Sequence, residues 1–350
     1  MAEYKFICQN GKSKVLNLHT STAGKTIKEG TRFSLYEDLG GNDQAFVYES
    51  YGSYGILKSK RNTNYVVNRN IADSNAIAWP WNTDDETVDD SLVAFEILDT
   101  AQCICRIKLV KQGLYLTAEN TANGASVTWS IKNSLSNSQK WKYVCLKPGG
   151  DTIQNTASIP TYPKNYAVYP CKAMRITQRY DGKTSHLPCS KGKPCDYPTD
   201  EAADNAFRSW MYCPCDEMEV YRVYGVGGSG VNTIWLRSTS KVVMPHGQDY
   251  LVMMVIHPDD DDLKKIPTGN KFTRGDAMFR EGKDGAYAYH FHISVGTGNG
   301  FSGNGWAKNS LGSWVLTPAG KALKIEDAFY VDPNVTKILT NLGIPFRTLP

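Results

Sequence analysis

Gln139-Lys140-Trp141 closes a segment of short alternating runs, and two similar triplets precede it, Gln44-Ala45-Phe46 and Val93-Ala94-Phe95. The triplets start at 44, 93 and 139, so they recur after 49 and 46 residues. A fixed period of this length indicates one supersecondary unit repeated three times. The strand-like runs between them, such as KVLNLHT and LYLTAEN, predict that each unit is built from short β-strands.

The period and the triplet together resemble the ricin-B-type β-trefoil, whose repeats close with a Gln-x-Trp triplet. The resemblance covers about residues 3–146, and we assign residues 1–146 to a β-trefoil domain. It implies a cell-wall or carbohydrate-binding module. We expect Phe46, Phe95 and Trp141 to fill the core, because large aromatics at repeated positions serve packing more often than ligand binding.

The composition of the whole chain favours an all-β protein with two domains. Twenty tyrosines and 30 glycines among 350 residues accompany many short runs separated by turn signals. A net charge of +4 is too small to predict nucleic-acid binding. No apolar run reaches the roughly 18 residues of a membrane helix, so membrane insertion is not expected. The N-terminus MAEYKFICQNGK lacks the apolar stretch of a secretory signal, which predicts synthesis in the cytoplasm.

Residues 147–165 are rich in Pro, Gly, Ser, Thr and Asn, and they are predicted to be a linker. A second domain is then expected over residues 166–350. Its last part is predicted to hold a short helix, because Val335, Ile338, Leu339 and Leu342 share one helical face after Asp332 and before Gly343.

Five of the six histidines lie in this second domain. His290 and His292 flank Phe291 in a run that alternates like a strand, so both should project to one face. Two imidazoles on one face, one further histidine and one carboxylate could supply three ligands of a catalytic zinc and an acid or base. His186, Asp196 and His257 offer those groups. His246, in Pro245-His246-Gly247, is expected to lie in a turn.

The order His, Asp, His at a strand end and His-x-His resembles the lysostaphin-like (M23) family of zinc peptidases. The match covers roughly residues 172–298, over an antiparallel sheet. The resemblance implies that His186, Asp196 and His292 bind Zn²⁺ and that His257 and His290 are catalytic. The spacing of His186 and Asp196 is ten residues, whereas the family pattern has four.

The two resemblances together imply a peptidoglycan hydrolase of the endolysin type, a zinc-dependent endopeptidase that cleaves stem or cross-bridge peptides. We expect bacterial peptidoglycan and wall glycans as partners, reached after release from the cell or as part of a phage particle. Two alternatives remain open. One is an M15-type zinc D,D- or L,D-peptidase, which needs an acid shortly before the last histidine. The other is a non-catalytic, lectin-like structural component of a phage particle.

Five cysteines crowd the start of the second domain: Cys171, Cys189, Cys195, Cys213 and Cys215. Cys189 and Cys195 could form a disulfide across the insert that separates His186 from Asp196. Buried thiols are the other possibility, since disulfides are rare in proteins made in a reducing compartment.

Overall fold

The computed structural model describes residues 1–10, 13–19, 26–51, 54–82, 85–149, 152–153, 162–181, 186, 196–202, 208–228, 230–309 and 314–350. The chain divides into two compact units, Met1–Pro160 and Thr161–Pro350. The division falls inside the stretch predicted as a linker. No helix among the described residues is both long and apolar enough to span a bilayer.

The described residues of the first unit form twelve strands, one short helix and two 3₁₀ turns. The strands are β1 (Ala2–Cys8), β2 (Val15–Leu18), β3 (Thr31–Tyr36), β4 (Phe46–Tyr51), β5 (Tyr54–Ser59), β6 (Asn62–Arg69), β7 (Ala76–Pro80), β8 (Val93–Asp99), β9 (Ile104–Leu109), β10 (Leu114–Ala118), β11 (Val127–Ser130) and β12 (Trp141–Lys147). The helix is α1 (Asp85–Ser91), and the 3₁₀ turns are Asn42–Gln44 and Asn137–Gln139.

Six of these strands close into a barrel. β1 pairs with β4, β4 with β5, β5 with β8, β8 with β9, β9 with β12, and β12 with β1. The remaining six form the hairpins β2–β3, β6–β7 and β10–β11. Six barrel strands with three hairpins, arranged as three successive four-stranded repeats, constitute a β-trefoil. The predicted trefoil is therefore confirmed.

The repeated triplets are structural elements of this barrel. Phe46, Phe95 and Trp141 are fully buried, and the Phe6 ring lies 5.7 Å from Phe46 and 6.1 Å from Phe95 between ring centroids. The Gln139 side chain accepts a hydrogen bond from the Asn133 amide and donates one to the Ile131 carbonyl. The buried Gln139 amide therefore holds the turn before β12, as expected for a buried polar group that must be paired.

The second unit is also dominated by strands. They are β13 (Ala173–Gln178), β14 (Thr199–Glu201), β15 (Trp210–Tyr212), β16 (Glu217–Tyr224), β17 (Thr233–Ser238), β18 (Val242–Met244), β19 (Gly247–Asp249), β20 (Leu251–Ile256), β21 (Lys271–Thr273), β22 (Ala277–Arg280), β23 (Phe291–Thr297), β24 (Phe301–Lys308), β25 (Trp314–Pro318), β26 (Ala322–Leu323) and β27 (Lys337–Thr340). Within the described part of this unit they are accompanied by two four-residue helices, α2 (Asp260–Leu263) and α3 (Ile325–Ala328).

The main sheet of the second unit has the order β21-β16-β17-β20-β23-β14-β13-β27, with β26 beside β23. All its described neighbours are antiparallel except β13 and β27. The central strand β20 is apolar throughout, and Leu251–Val255 are fully buried. This strand pairs with β17 and β23 along its length, and His257 follows its last residue, Ile256.

The predicted C-terminal helix is wrong. After a single turn closed by Asp332, residues Lys337–Thr340 form β27, which pairs in parallel with β13. The Thr336 hydroxyl and the Lys337 amide bond to the backbone of residues 171 and 172. An unpaired sheet edge offers backbone partners along its length, and here it overrides the helical spacing of the apolar residues. Ile338 and Leu339 are left exposed.

Both ends of the predicted linker are attached to the units. β12 continues to Lys147, and the Ile153 amide donates to the Tyr4 hydroxyl. At the other end the Tyr162 hydroxyl donates to the Asp332 carboxylate at 2.6 Å. The composition of residues 147–165 does not predict these contacts, because a single side chain can attach a polar segment to a folded unit.

Candidate metal and catalytic site

Three side chains converge at the edge where β14 meets β23. Asp200 of β14 lies directly opposite His292 of β23, and directly opposed residues of an antiparallel pair project to the same face. Asp200 Oδ1 lies 3.0 Å from His292 Nδ1 and 3.1 Å from His186 Nε2. His186 Nε2 lies 3.2 Å from His292 Nδ1. The three atoms therefore form a nearly equilateral triangle.

The orientation of His186 directs a lone pair into this triangle. Its Nδ1 lies 2.9 Å from the Arg179 carbonyl oxygen, which can only accept, so Nδ1 carries the proton. Nε2 faces the carboxylate of Asp200 and is an acceptor whenever it carries no proton. Two acceptors at this distance repel each other unless a proton or a cation lies between them, and His186 is buried.

The donor set and its spacing fit zinc. Two imidazole nitrogens and one carboxylate oxygen are ordinary zinc ligands, and bonds of about 2.0–2.1 Å in a tetrahedron separate ligand atoms by roughly 3.3 Å. The observed separations of 3.0–3.2 Å are close to that value. The hydrogen bond from His186 Nδ1 to a backbone carbonyl is the usual outer support of a metal-binding histidine.

The Asp200 carboxyl is strongly acidic in this environment. Burial raises its pKa, but the hydrogen bonds and charges of His186 and His292 outweigh burial and hold the pKa well below the usual range. The side chain is therefore an anion at neutral pH. A metal ligand must be deprotonated, and Asp200 meets that condition.

Asp196, which the sequence pattern assigned as the carboxylate ligand, is not placed in the triangle. Its Oδ2 accepts hydrogen bonds from the Ser294 hydroxyl at 2.6 Å and the Leu316 amide at 2.9 Å. These contacts join β23 to β25. Asp200 takes the position expected for Asp196, fourteen residues after His186. Asp200 is distinguished from Asp196 by its pairing with His292 across two strands. The sequence alone does not show which residues of two strands are paired.

His257 follows the last residue of β20 and is half-buried. Its backbone is left-handed, with φ of 68°, which is uncommon for a non-glycine residue and is typical of functional sites. The Asn232 carbonyl accepts from the His257 amide, and the Asn232 side chain donates to the Pro258 carbonyl. Gly282 permits this turn, because a Cβ there would lie 2.5 Å from the His257 carbonyl oxygen.

The His257 ring is neutral at physiological pH. Burial lowers its pKa to about 4, and the charges of His290 and His292 act in the same direction. Its Nδ1 donates to the Asp284 carbonyl oxygen, which leaves Nε2 free to accept a proton.

His290 lies beside both groups. Its ring centroid is 4.8 Å from that of His257, and its Nε2 is 3.8 Å from Asp200 Oδ1. Its Nδ1 donates to the Ala288 carbonyl oxygen. His290 and His292 thus face the same side, as the alternation predicts, although the strand begins at Phe291. His246 lies in the turn between β18 and β19, as expected, and is exposed.

The cysteine predictions are answered in part. Cys213 and Cys215 are buried thiols, and the Cys213 thiol donates to the Cys215 carbonyl. Cys171 is also buried. Cys189, Cys195 and the insert of residues 187–193 lie outside the described residues.

Three solved structures are similar to this chain at low sequence identity. The designed three-fold symmetric protein ThreeFoil is 19% identical, with 41% of this chain and 97% of that chain covered and a TM-score of 0.34. The Rhizoctonia solani agglutinin is 20% identical over 41% and 94%, with a TM-score of 0.33. The Macrolepiota procera ricin B-like lectin in complex with lactose is 17% identical over 40% and 93%, with a TM-score of 0.30.

No protein-family model matches the chain, and no curated protein matches it. The trefoil assignment of the first unit rests on the strand pairing described above.

Proposed function

We propose that this protein is a metal-dependent hydrolase and, more narrowly, a zinc endopeptidase that cleaves peptides of bacterial peptidoglycan. The observation that carries the proposal is the triangle of His186 Nε2, Asp200 Oδ1 and His292 Nδ1 with sides of 3.0–3.2 Å. Three protein ligands leave a fourth position for water, as in catalytic zinc sites.

Each residue of the site has a defined task in this proposal. His186, Asp200 and His292 would hold the ion. Zinc, when bound, would bring the pKa of its water near 7 and polarise a substrate carbonyl. His257 Nε2, neutral at working pH, would take up the proton lost by the attacking water. When Nε2 of His290 carries a proton, it would donate a hydrogen bond to the developing oxyanion.

The choice of a peptide in the bacterial wall rests on the lysostaphin-like order of these residues. The β-trefoil is proposed to bind wall glycans and to hold the second unit near its substrate. Such tethering raises the effective substrate concentration without new contacts at the catalytic site. We propose that the protein acts on the wall after release from the cell or from within a phage particle.

The M15-type alternative is less well supported. It requires a carboxylate that faces the metal shortly before the last histidine, and the acid at that place is Asp284. The Asp284 carboxylate accepts from the Asn232 amide at 2.8 Å. It is therefore engaged in supporting the His257 turn.

Mass spectrometry of peptidoglycan digested by the full chain tests the proposal. We expect new termini at a stem or cross-bridge peptide bond, stoichiometric zinc by elemental analysis, and loss of cleavage after chelation that added zinc restores. Cleavage that survives complete metal removal would refute the metal mechanism. Absence of stoichiometric metal together with no cleavage of any wall would favour the lectin-like structural component.

A further inference from the structure

Three aromatic side chains form a partly exposed cluster on the second unit. The rings of Trp306 and Trp314 stack, with centroids 4.6 Å apart and planes inclined by 24°. Tyr224 meets Trp306 edge-on at 5.1 Å. Trp314 is 46% exposed and Tyr224 is 40% exposed. We call Tyr224, Trp306 and Trp314 the aromatic platform.

The platform is built on the core and is held rigid. Trp306 packs edge-on against the fully buried Trp235, at 4.9 Å between ring centroids. The Trp235 indole N–H donates to the Gly305 carbonyl, which ties the hairpin β24–β25 to the sheet. The Arg222 guanidinium lies within 6 Å of the ring centres of Tyr224, Trp235 and Trp306. Rings fixed in this way lose little freedom when a ligand binds.

The platform and the candidate metal site share one row of the main sheet. Asp200 is opposite His292, His292 opposite Ile256, Ile256 opposite Thr233, and Thr233 opposite Tyr224. Opposed residues share a face, so Tyr224 and His292 project to the same side. Three strand spacings of about 4.8 Å separate them, roughly 14 Å in all. One extended substrate can therefore contact both places.

The hairpin that carries the two tryptophans covers this same face. The Leu316 amide of β25 donates to Asp196, which also accepts from Ser294 of β23, two residues beyond His292. Residues two apart on a strand share a face. The contact therefore places the hairpin on the side of the sheet to which His292 projects.

We propose that the aromatic platform binds a sugar ring of the glycan to which the cleaved peptide is attached. This inference rests on the proposed function. The apolar C–H face of a pyranose matches the flat face of an indole, and its hydroxyl and carbonyl oxygens accept hydrogen bonds. The cations at the platform, Arg222 and Lys308, offer only N–H donors, one of which already bonds Arg222 to the Asn304 carbonyl oxygen. Rigid aromatics with a few polar groups at the rim are typical of small-ligand sites.

Calorimetric titration of the full chain with soluble, peptide-free glycan strands tests the proposal directly. We expect Trp314→Ala to remove one class of binding sites or to weaken it about tenfold, as loss of an aromatic contact does. Trp314→Phe keeps a ring and should retain most of the affinity. Ile338→Ala removes an exposed apolar side chain at the opposite edge of the sheet and serves as the matched control.

A second measurement compares cleavage of peptides still linked to glycan with cleavage of the same peptides released from it. Trp314→Ala should lower kcat/KM about tenfold for the linked substrate only. The proposal would be overturned if Trp314→Ala binds glycan strands as the wild type does and cleaves both substrates with the wild-type kcat/KM. A loss of equal size on the linked and the free peptide, with glycan binding unchanged, would assign the platform to the peptide instead. Because the titration needs no turnover, an inactive wild-type chain would contradict the proposed function and leave the binding result readable.

Discussion

The two units use their distinctive residues in opposite ways. In the β-trefoil, Phe46 and Trp141 occupy the same position in their repeats, and both are buried in the core. In the second unit, single residues 106 positions apart, His186 and His292, come within 3.2 Å. A repeated residue thus reports on packing, because every repeat must bury the same surface. A site assembled from distant segments depends on strand register, which no local pattern contains.

The largest expected effect is a loss of metal when Asp200 is substituted and no loss when Asp196 is substituted. Asp200→Asn should weaken zinc binding by more than about a hundredfold, because it removes an anionic ligand. Asp196→Asn keeps the shape and an oxygen that accepts from Ser294 and Leu316, so the metal should stay. Elemental analysis of both variants measures this. Metal loss by Asp196→Asn alone would restore the ligand set inferred from sequence spacing.

Substitution of His290 and of His292 should have different effects on zinc content and on turnover. His290→Ala should retain zinc and lose turnover by about 10²–10⁴-fold, the usual range for proton transfer groups. His292→Ala should lose zinc, because two protein ligands hold the ion poorly. Metal analysis with single-turnover assays separates them, and His246→Ala in the exposed turn is the control. Zinc and activity retained in both variants would show that this group is not the active site.

The trefoil triplets should affect stability rather than catalysis. Trp141 is fully buried, and its indole N–H donates to the Leu116 carbonyl. Trp141→Ala should destabilise the first unit by about 3–5 kcal/mol, through a cavity and an unpaired carbonyl. The partly exposed Trp79→Ala should change stability by under about 1 kcal/mol. Calorimetry should show one lowered transition, while the zinc content stays constant. Loss of zinc with Trp141→Ala would mean that the units do not fold independently.

The smallest effect concerns a residue that positions His257. Asn232 is buried and donates to the Pro258 carbonyl, next to the left-handed His257. Asn232→Ala leaves that carbonyl unpaired, at a cost of about 1–3 kcal/mol. It should also lower kcat about tenfold with KM and zinc nearly unchanged, because His257 can relax from its strained turn. The exposed Asn334→Ala is the control. A change in KM alone would contradict a positioning role.

The features that could be predicted from the sequence all follow from a regular spacing of residues along the chain. The trefoil, the strand before His257 and the common face of His290 and His292 follow from periods of two or about 47 residues. The helix predicted near Leu339 failed because β13 offered an unpaired edge to Lys337–Thr340. For a related reason the sequence could not show that Asp200 rather than Asp196 lies beside His292, since the two aspartates are four residues apart and only strand pairing distinguishes them.

The sequence by itself determined an all-β chain with a threefold repeat followed by a unit that holds five of the six histidines, because alternation and repeat period can be read along the chain. Only the tertiary structure decided which aspartate faces His292 and that Tyr224 lies in the same row. Both outcomes depend on the register of hydrogen-bonded strands, and a shift of one residue would turn every side chain to the other face. Register is fixed by the buried core of β20 and β23, which lies far in sequence from the aspartates that it positions.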